Sequence, residues 1–428
     1  MTVLAGSISL GSAAHAPSPG IPVTSPPMRR ILFVDDELQV LQGLQNSLHK
    51  QRRKWHMVFV STGEAALAAL DAAPFDLVVS DMRMPGMDGA TLLEQVRDRH
   101  PRAARIVLSG QADRDAILRT VTVAHQFLSK PCDPETLRGT IERVCGLSAL
   151  AHHDAVRSMV GEVRNLPSLP RVHRELTDAI NADDASASKI AEIVELDPAL
   201  STKVLQLVNS AFFGIPRKTV SVRSAVAYLG VELIRTLSLA AHVFGDLVSD
   251  VGQAELIDDI QQRAIAQARV AKRLASNRQV AEQAFTASLV QDVGILLTAL
   301  RAPERTASCT ARMKATGLPW HVVEAELGAP NHAEVGAYLL GSWGLPFELV
   351  EAVAYHHLPS SAPAGCPLDL LGVVHAADAI VGAIAAGETD PMHGIDVEFA
   401  ARAGLGEKMA GWRVIAEDEL KRNESKRL

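Results

Sequence analysis

Leu77-Val78-Val79-Ser80, with Asp81 directly behind it, is a short apolar run of the kind that forms a strand buried on both faces. Residues 64–70 before it and 91–99 after it carry apolar positions at helical spacing. The same alternation extends in both directions. Ile31-Leu32-Phe33-Val34 precedes a helical segment at 38–49, and residues 57–60 form the next apolar run. Downstream, Ile106-Val107-Leu108 precedes 115–123, and Phe127-Leu128 precedes 134–144. Five strands alternating with five helices predict a doubly wound α/β domain, a five-stranded parallel sheet covered on both faces. Past Val144 the strand signals stop. Segments such as 190–195, 198–209 and 260–275 read as helix punctuated by Pro and Gly, which predicts an all-α second domain.

At 428 residues the chain has room for two to three domains of about 150 residues. Its 42 Lys and Arg against 49 Asp and Glu leave a net charge of -7, no basis for a polyanion-binding surface, so DNA is an unexpected partner. No run of about 18 uncharged apolar residues appears, and no membrane span is expected. The 4 cysteines show no C-x-x-C spacing, which argues for a reducing compartment, the cytoplasm, and against a disulfide framework. Residues 1–27 contain no Lys, Arg, Asp or Glu and are rich in Ser, Gly, Ala and Pro, so they read as a disordered tail rather than a secretion signal. The expected divisions are that tail, an α/β domain at 28–147, a helical linker at 148–165, a helical domain at 166–385 and a C-terminal extension at 386–428. Leu137, Ile141, Val144, Ala151, Ala155 and Met159 recur at helical spacing across the junction, so one long, self-pairing helix is an alternative to a helix followed by a linker.

In a doubly wound sheet, ligands bind beyond the carboxyl ends of the strands. Asp35 and Asp36 follow the first apolar run and Asp81 the third, so three carboxylates are expected to converge on one crevice. Such a group repels itself unless a hard cation is present, and oxygen donors suit Mg²⁺. Asp36 alone could instead cap the helix from Leu38. Ser109 follows the fourth run and Lys130 the fifth, bringing a hydroxyl and an ammonium to the same rim. A carboxylate nucleophile, a divalent metal, a hydroxyl and a cation are the parts needed to accept a phosphoryl group.

Taken in order, Val34-Asp35-Asp36-Glu37, Ser80-Asp81-Met82-Arg83-Met84-Pro85-Gly86-Met87-Asp88-Gly89, Leu108-Ser109-Gly110 and Ser129-Lys130-Pro131 resemble the response-regulator receiver domain over about 28–147. The resemblance implies that Asp81 is the phosphoacceptor, supplied by a sensor histidine kinase. It also implies that Asp36, Asp81 and the backbone carbonyl of Arg83 hold Mg²⁺, with Asp35 acting through water. Ser109 and Lys130 would contact the phosphoryl oxygens, and Phe127 would be the aromatic switch, although composition alone makes it a core aromatic. Receiver domains commonly pair through the face of the fourth helix, fifth strand and fifth helix, so a homodimer is expected.

In the second half, Asp197 before Pro198 is a favourable helix start, and Phe212-Phe213-Gly214 reads as a packed corner. Asn165-Leu166-Pro167-Ser168-Leu169-Pro170, Asp197-Pro198-Ala199-Leu200, Asn209-Ser210-Ala211-Phe212-Phe213-Gly214, Ser224-Ala225-Val226-Ala227-Tyr228-Leu229-Gly230 and Leu345-Pro346 resemble the HDOD domain, a relative of the HD-type metal-dependent phosphohydrolases. The likeness covers about 159–358, or to about 385 with the helix bearing Asp378. In the hydrolases a His, a His-Asp pair and a distant Asp hold metal. Here Arg263 stands at the first position, the pair reads Gln291-Asp292, and Asp378 matches the last ligand. A guanidinium repels a cation and an amide is a poor substitute for imidazole, so no metal is expected in the helical half. An Arg263–Asp292 salt bridge would stand in for the ion. His332, His356 and His357 match His positions of relatives that hydrolyse cyclic di-GMP, but adjacent His on one helix point about 100° apart, so at most one should face a single ion.

The expected function is a response regulator whose helical half binds a downstream signalling protein and does not catalyse. Two rivals are a metal phosphohydrolase acting on a cyclic dinucleotide and a DNA-binding transcription factor. Lys421, Arg422, Lys426 and Arg427 are interleaved with Glu419 and Glu424, the pattern of a solvated helix face rather than a nucleic-acid contact.

Overall fold

The computed structural model describes residues 28–110, 120, 122–147, 154–182, 184–210, 218–239, 246–247, 251–328, 330–363, 365–366 and 368–424. The N-terminal tail, the predicted helix at 115–123 except for residues 120, 122 and 123, the junction at 148–153 and the Phe212-Phe213 corner lie outside these residues.

β1 (Arg29–Val34), β2 (Trp55–Val60), β3 (Leu77–Asp81), β4 (Ala104–Gly110) and β5 (Gln126–Lys130) form a parallel sheet in the order β2-β1-β3-β4-β5. It is flanked by α1 (Leu38–Ser47), α2 (Gly63–Ala72), α3 (Gly89–Arg99) and α4 (Pro134–Gly146). The two-residue period of each strand divides the apolar runs between the faces. Ile31, Phe33, Leu77, Val79, Ile106 and Leu108 pack with Leu137 and Ile141 of α4. Leu32, Val34, Val78, Val107 and Phe127 belong to the opposite face with Leu92, Leu93 and Val96 of α3. Side-chain oxygens start the helices: Thr62 accepts from the Ala65 amide, Asp88 from Thr91 and Asp133 from Thr136.

The helical region begins with α5 (Asp154–Gly161), followed by α6 (Pro170–Asn181), α7 (Ala187–Val194), α8 (Pro198–Asn209) and α9 (Val222–Leu239). It continues through α10 (Val251–Leu274), α11 (Arg278–Val290), α12 (Val293–Arg301), α13 (Pro303–Thr316), α14 (Trp320–Glu326) and α15 (His332–Ser342). α16 (Phe347–Tyr355), α17 (Leu368–Ala385), α18 (Val397–Ala403) and α19 (Gly406–Glu424) complete it. The region is not purely helical: β6 (Pro167–Ser168) pairs in parallel with β7 (Asp246–Leu247), strands too short to show any period in sequence. Asp197 caps α8 as expected, accepting from the Ala199 and Leu200 amides. Phe399, Leu405 and Met409 of the C-terminal part are buried with Leu371 and Val374 of α17, so that part closes a core. Residues 278–301 and 368–385 are apolar and long enough to cross a bilayer, but 83% and 61% of these windows are buried inside the protein, as core helices would be.

The sheet face bearing Phe127 does not end at the α/β domain. Val123, Ala124 and Phe127 share one continuous apolar cluster with Val156 and Val160 of α5 and with Leu340 and Trp343 of the helical region. Gln126 donates to the Ser342 carbonyl at 3.2 Å, and Leu147 packs so closely on Gly341 that a Cβ there would lie 2.3 Å from it. Part of the face expected to pair two chains is therefore covered by the chain's own helices.

Candidate functional site

β1 and β3 are neighbours in parallel register, Val34 opposite Ser80, so their carboxyl ends deliver Asp35 and Asp81 side by side. β4 and β5 add Ser109 and Lys130 at the same rim. Asp35 and Asp81 are buried, Asp36 half-buried. Lys130 Nζ donates to Asp35 Oδ2 at 2.7 Å and also pairs with Asp81 Oδ1. The Arg83 amide donates to Asp81 Oδ2 at 3.0 Å, and the Glu37 amide to Asp35 Oδ1 at 3.0 Å. Gly89 allows this turn, because a Cβ there would stand 2.1 Å from the Asp81 carbonyl oxygen.

Burial pushes the Asp81 carboxyl above its usual range; Lys130 pulls the other way, and the nearby Asp35 charge adds to the rise. Burial also opposes charge on Lys130, but its bonds to Asp35 and Asp81 outweigh that and leave its pKa raised. Ser109 Oγ is buried and has no hydrogen-bond partner among the described residues. Lys130 bridges the inner two of the three carboxylates, Asp35 and Asp81. Asp36 does not cap α1; that position is Glu37, without a side-chain bond. The donors remain all-oxygen, the chemistry that suits a hard divalent cation. Phe127 is buried in the apolar cluster beneath this rim.

The second group of donors lies in the helical region. Arg263 comes from α10, Gln291 and Asp292 from the turn between α11 and α12, His332 from the start of α15 and Asp378 from α17. Arg263 pairs with Asp292 Oδ2 at 3.1 Å and lies 3.7 Å from Asp378 Oδ1. The side-chain amides of Gln267 and Gln291 also donate to Asp378 Oδ1, at 2.6 Å and 3.2 Å. His332 Nε2 is 3.3 Å from Asp292 Oδ1, and His356 Nε2 is 3.7 Å from the same oxygen.

The expectation that only one of His356 and His357 could face a single centre does not hold. α16 stops at Tyr355, so the pair lies past the last helical turn, and both rings join Asp292 and His332 in one cluster of ligand atoms within 4.8 Å. Sequence reading also missed Glu324 and His321. Glu324 is buried and accepts from Trp320 Nε1 at 2.9 Å and from the His332 amide at 3.0 Å, while His321 stacks on His357 with centroids 3.9 Å apart. The Trp320–Glu324 spacing of one helical turn was the only sequence signal for it. Burial opposes charge on His332, but Glu324 and Asp292 outweigh it and carry its pKa up to about 10. Burial likewise favours a neutral Asp292, yet Arg263 and His332 hold its carboxyl well below the usual range.

A response regulator receiver domain family matches residues 31–142, and an HDOD domain family matches 166–359. An uncharacterized protein of Treponema pallidum is 26% identical over 207 residues, 48% of this chain and 40% of that protein. The hydrogenase transcriptional regulatory protein HoxA of Cupriavidus necator is 35% identical over 115 residues, 26% of this chain and 23% of that protein. The chain thus spans less than half the length of these curated relatives. Among solved structures, the MmoQ response regulator of Methylococcus capsulatus is 23% identical over 58% of this chain and 98% of that one, with a TM-score of 0.43. The signal receiver domain of an HD domain-containing protein from Pseudomonas fluorescens is 31% identical over 29% of this chain and 91% of that one, with a TM-score of 0.27.

Proposed function

The chain belongs to the response regulators, joining a receiver domain to an HDOD domain, and we propose from this that Asp81 takes a phosphoryl group from a sensor histidine kinase and that the HDOD half signals by binding a protein partner. In the transfer, an Asp81 carboxylate oxygen forms a bond to the phosphorus of phosphohistidine, the P–N bond breaks and the imidazole leaves, giving an acyl phosphate. The observation that carries the reading is the buried Ser109 hydroxyl, without a partner among the described residues, at the rim where Lys130 already reaches Asp81. A new phosphoryl oxygen gives that hydroxyl an acceptor and Lys130 a denser anion. Asp36, Asp81 and the Arg83 carbonyl would hold Mg²⁺, with Asp35 acting through water. When bound, the ion supplies neutralising charge to the phosphoryl oxygens.

Phe127 lies between this rim and the helical domain, within the apolar cluster the two halves share. Movement of Ser109 toward the phosphoryl group would let Phe127 repack and loosen the contact that covers β5, freeing a surface for a second copy of the chain or for the output partner. Two-metal hydrolysis is not part of this reading, since Arg263 stands as a fixed cation between Asp292 and Asp378. The net charge of -7 gives a DNA-directed role no electrostatic support, and the proposed location is the cytoplasm.

The test is acetyl phosphate with Mg²⁺, read by intact mass. The parent chain gains one phosphoryl group and Asp81→Asn gains none. Uptake that persists in Asp81→Asn would move the acceptor to another residue.

A further inference from the structure

We infer that the seam between the two domains holds a site for a small phosphomonoester, with Arg143 of α4 and Lys218, just before α9, as its cations and the Thr140 hydroxyl as a further donor. A cleft of about 380 Å³ opens there, lined by Gln126 of β5, Thr140 and Arg143 of α4, and Asn209, Ser210 and Lys218 of the helical region. Small-molecule sites have such volumes and favour such positions between domains. Asp35, Asp81 and Lys130 of the phosphoacceptor rim do not line it.

Thr140 and Arg143 are three residues apart on α4 and so share a face of that helix. On the opposite wall Asn209 sets the approach of Lys218. Its side-chain amide donates to the Thr219 carbonyl at 2.7 Å, and its side-chain oxygen accepts from the Thr219 amide at 2.7 Å. Lys218 Nζ donates to the Asn209 carbonyl, which leaves two of the three ammonium N–H groups for a ligand.

Two cations thus line one cleft, and no carboxylate among the described residues answers either of them. Glu135 also lines the cleft, but Arg138 donates to it at 3.1 Å. Partial burial lowers the pKa of Arg143, and burial together with the Arg143 charge pushes the Lys218 ammonium down to about 8. Like charges held in a partly dry cleft cost free energy that a bound anion removes. A phosphoryl group offers three acceptor oxygens and close to two negative charges, which matches a guanidinium, an ammonium and a hydroxyl better than a carboxylate does. The volume beyond the phosphate leaves room for an attached sugar or base. Because the donors come from both domains, an occupant would clip α4 to the segment that opens α9.

AMP, ribose 5-phosphate and adenosine are each titrated by calorimetry into the full chain in phosphate-free buffer with EDTA. One equivalent of AMP and of ribose 5-phosphate should bind saturably, adenosine should not, and bound AMP should slow amide exchange in α4. Arg143→Gln and Lys218→Gln should each weaken AMP at least about tenfold. Asp81→Asn should bind it unchanged, which separates this site from the phosphoacceptor. Absence of saturable binding of both phosphomonoesters, adenosine binding as tightly as AMP, or an affinity unaffected in either Gln variant of parental circular dichroism would overturn the proposal.

Discussion

Lys130 and Arg263 play the same electrostatic part, each a cation between two carboxylates, but they are not interchangeable. An ammonium on a flexible stem can follow a new anion, whereas a planar guanidinium is held by its fork geometry, so Lys130 suits a switch and Arg263 a fixed replacement for an ion. A third cation, Lys203, is buried in α8 with its Nζ 5.3 Å from the centre of the Trp343 ring. Burial pushes its ammonium from the ordinary 10.5 down to about 7. The unfolded chain then binds more protons than the folded one between those values, so this residue makes stability rise with pH across that window, by up to about 1.4 kcal/mol per pH unit. Below pH 7 both states are protonated and the full cost of the buried charge is present. Lys203→Met should therefore raise Tm most near pH 6 to about 7 and progressively less toward pH 10. A Tm difference independent of pH would show that Lys203 keeps its charge when folded.

At the level of elements, the buried histidine and aspartate cluster depends on how closely α12 approaches α15. A Cβ at Gly294 would lie 2.0 Å from the His332 carbonyl oxygen and 2.9 Å from the Gly336 amide nitrogen, so only glycine permits the crossing that places His332 against Asp292. Both neighbours are backbone and cannot rotate away. Gly294→Ala should lower the urea midpoint by the equivalent of about 1–3 kcal/mol or more, because the methyl forces His332 away from Asp292. Gly139→Ala, on α4 where nothing lies within 4 Å of the added carbon, should instead be neutral or stabilising by about 0.5–1 kcal/mol. Equal losses in the two variants would mean that glycine content, not helix contact, sets the effect.

At the scale of the whole molecule, the two halves are held by packing and by polar ties that include a buried cation. Arg105 of β4 donates to the carbonyls of Val123 at 2.6 Å and Gly161 at 2.7 Å, tying the sheet to the last turn of α5. Gly161 is in turn pressed against Pro101, where a Cβ would fall 1.6 Å from the carbonyl oxygen. Beryllofluoride with Mg²⁺ should loosen this contact, seen as faster amide exchange in α5 and β5 and an altered elution volume, with no change in Asp81→Asn. Gly161→Ala should give part of the same loosening without beryllofluoride, because the methyl forces α5 off Pro101. Exchange in α5 that stays at the parent level in both conditions would remove the contact from the signalling route.

What the chain's order of residues determined by itself was the sheet, its flanking helices and the rim of carboxylates with Lys130. Those features are local: a strand announces itself by its apolar run, and the residue after it lands on the rim whatever else the chain does. The Arg263–Asp292 pair was legible because opposite charges stand at two positions that the family resemblance brings together. Only the tertiary structure decided the rest. His356 and His357 share a centre because α16 ends one residue earlier, Glu324 becomes an orienting partner because it is buried beside His332, and the sheet's outer face is covered because it shares a core with α5 and α15. Each of these depends on contacts between segments far apart in sequence, where helix termination, burial and close backbone approach are set by packing and leave no periodic trace in the residues themselves.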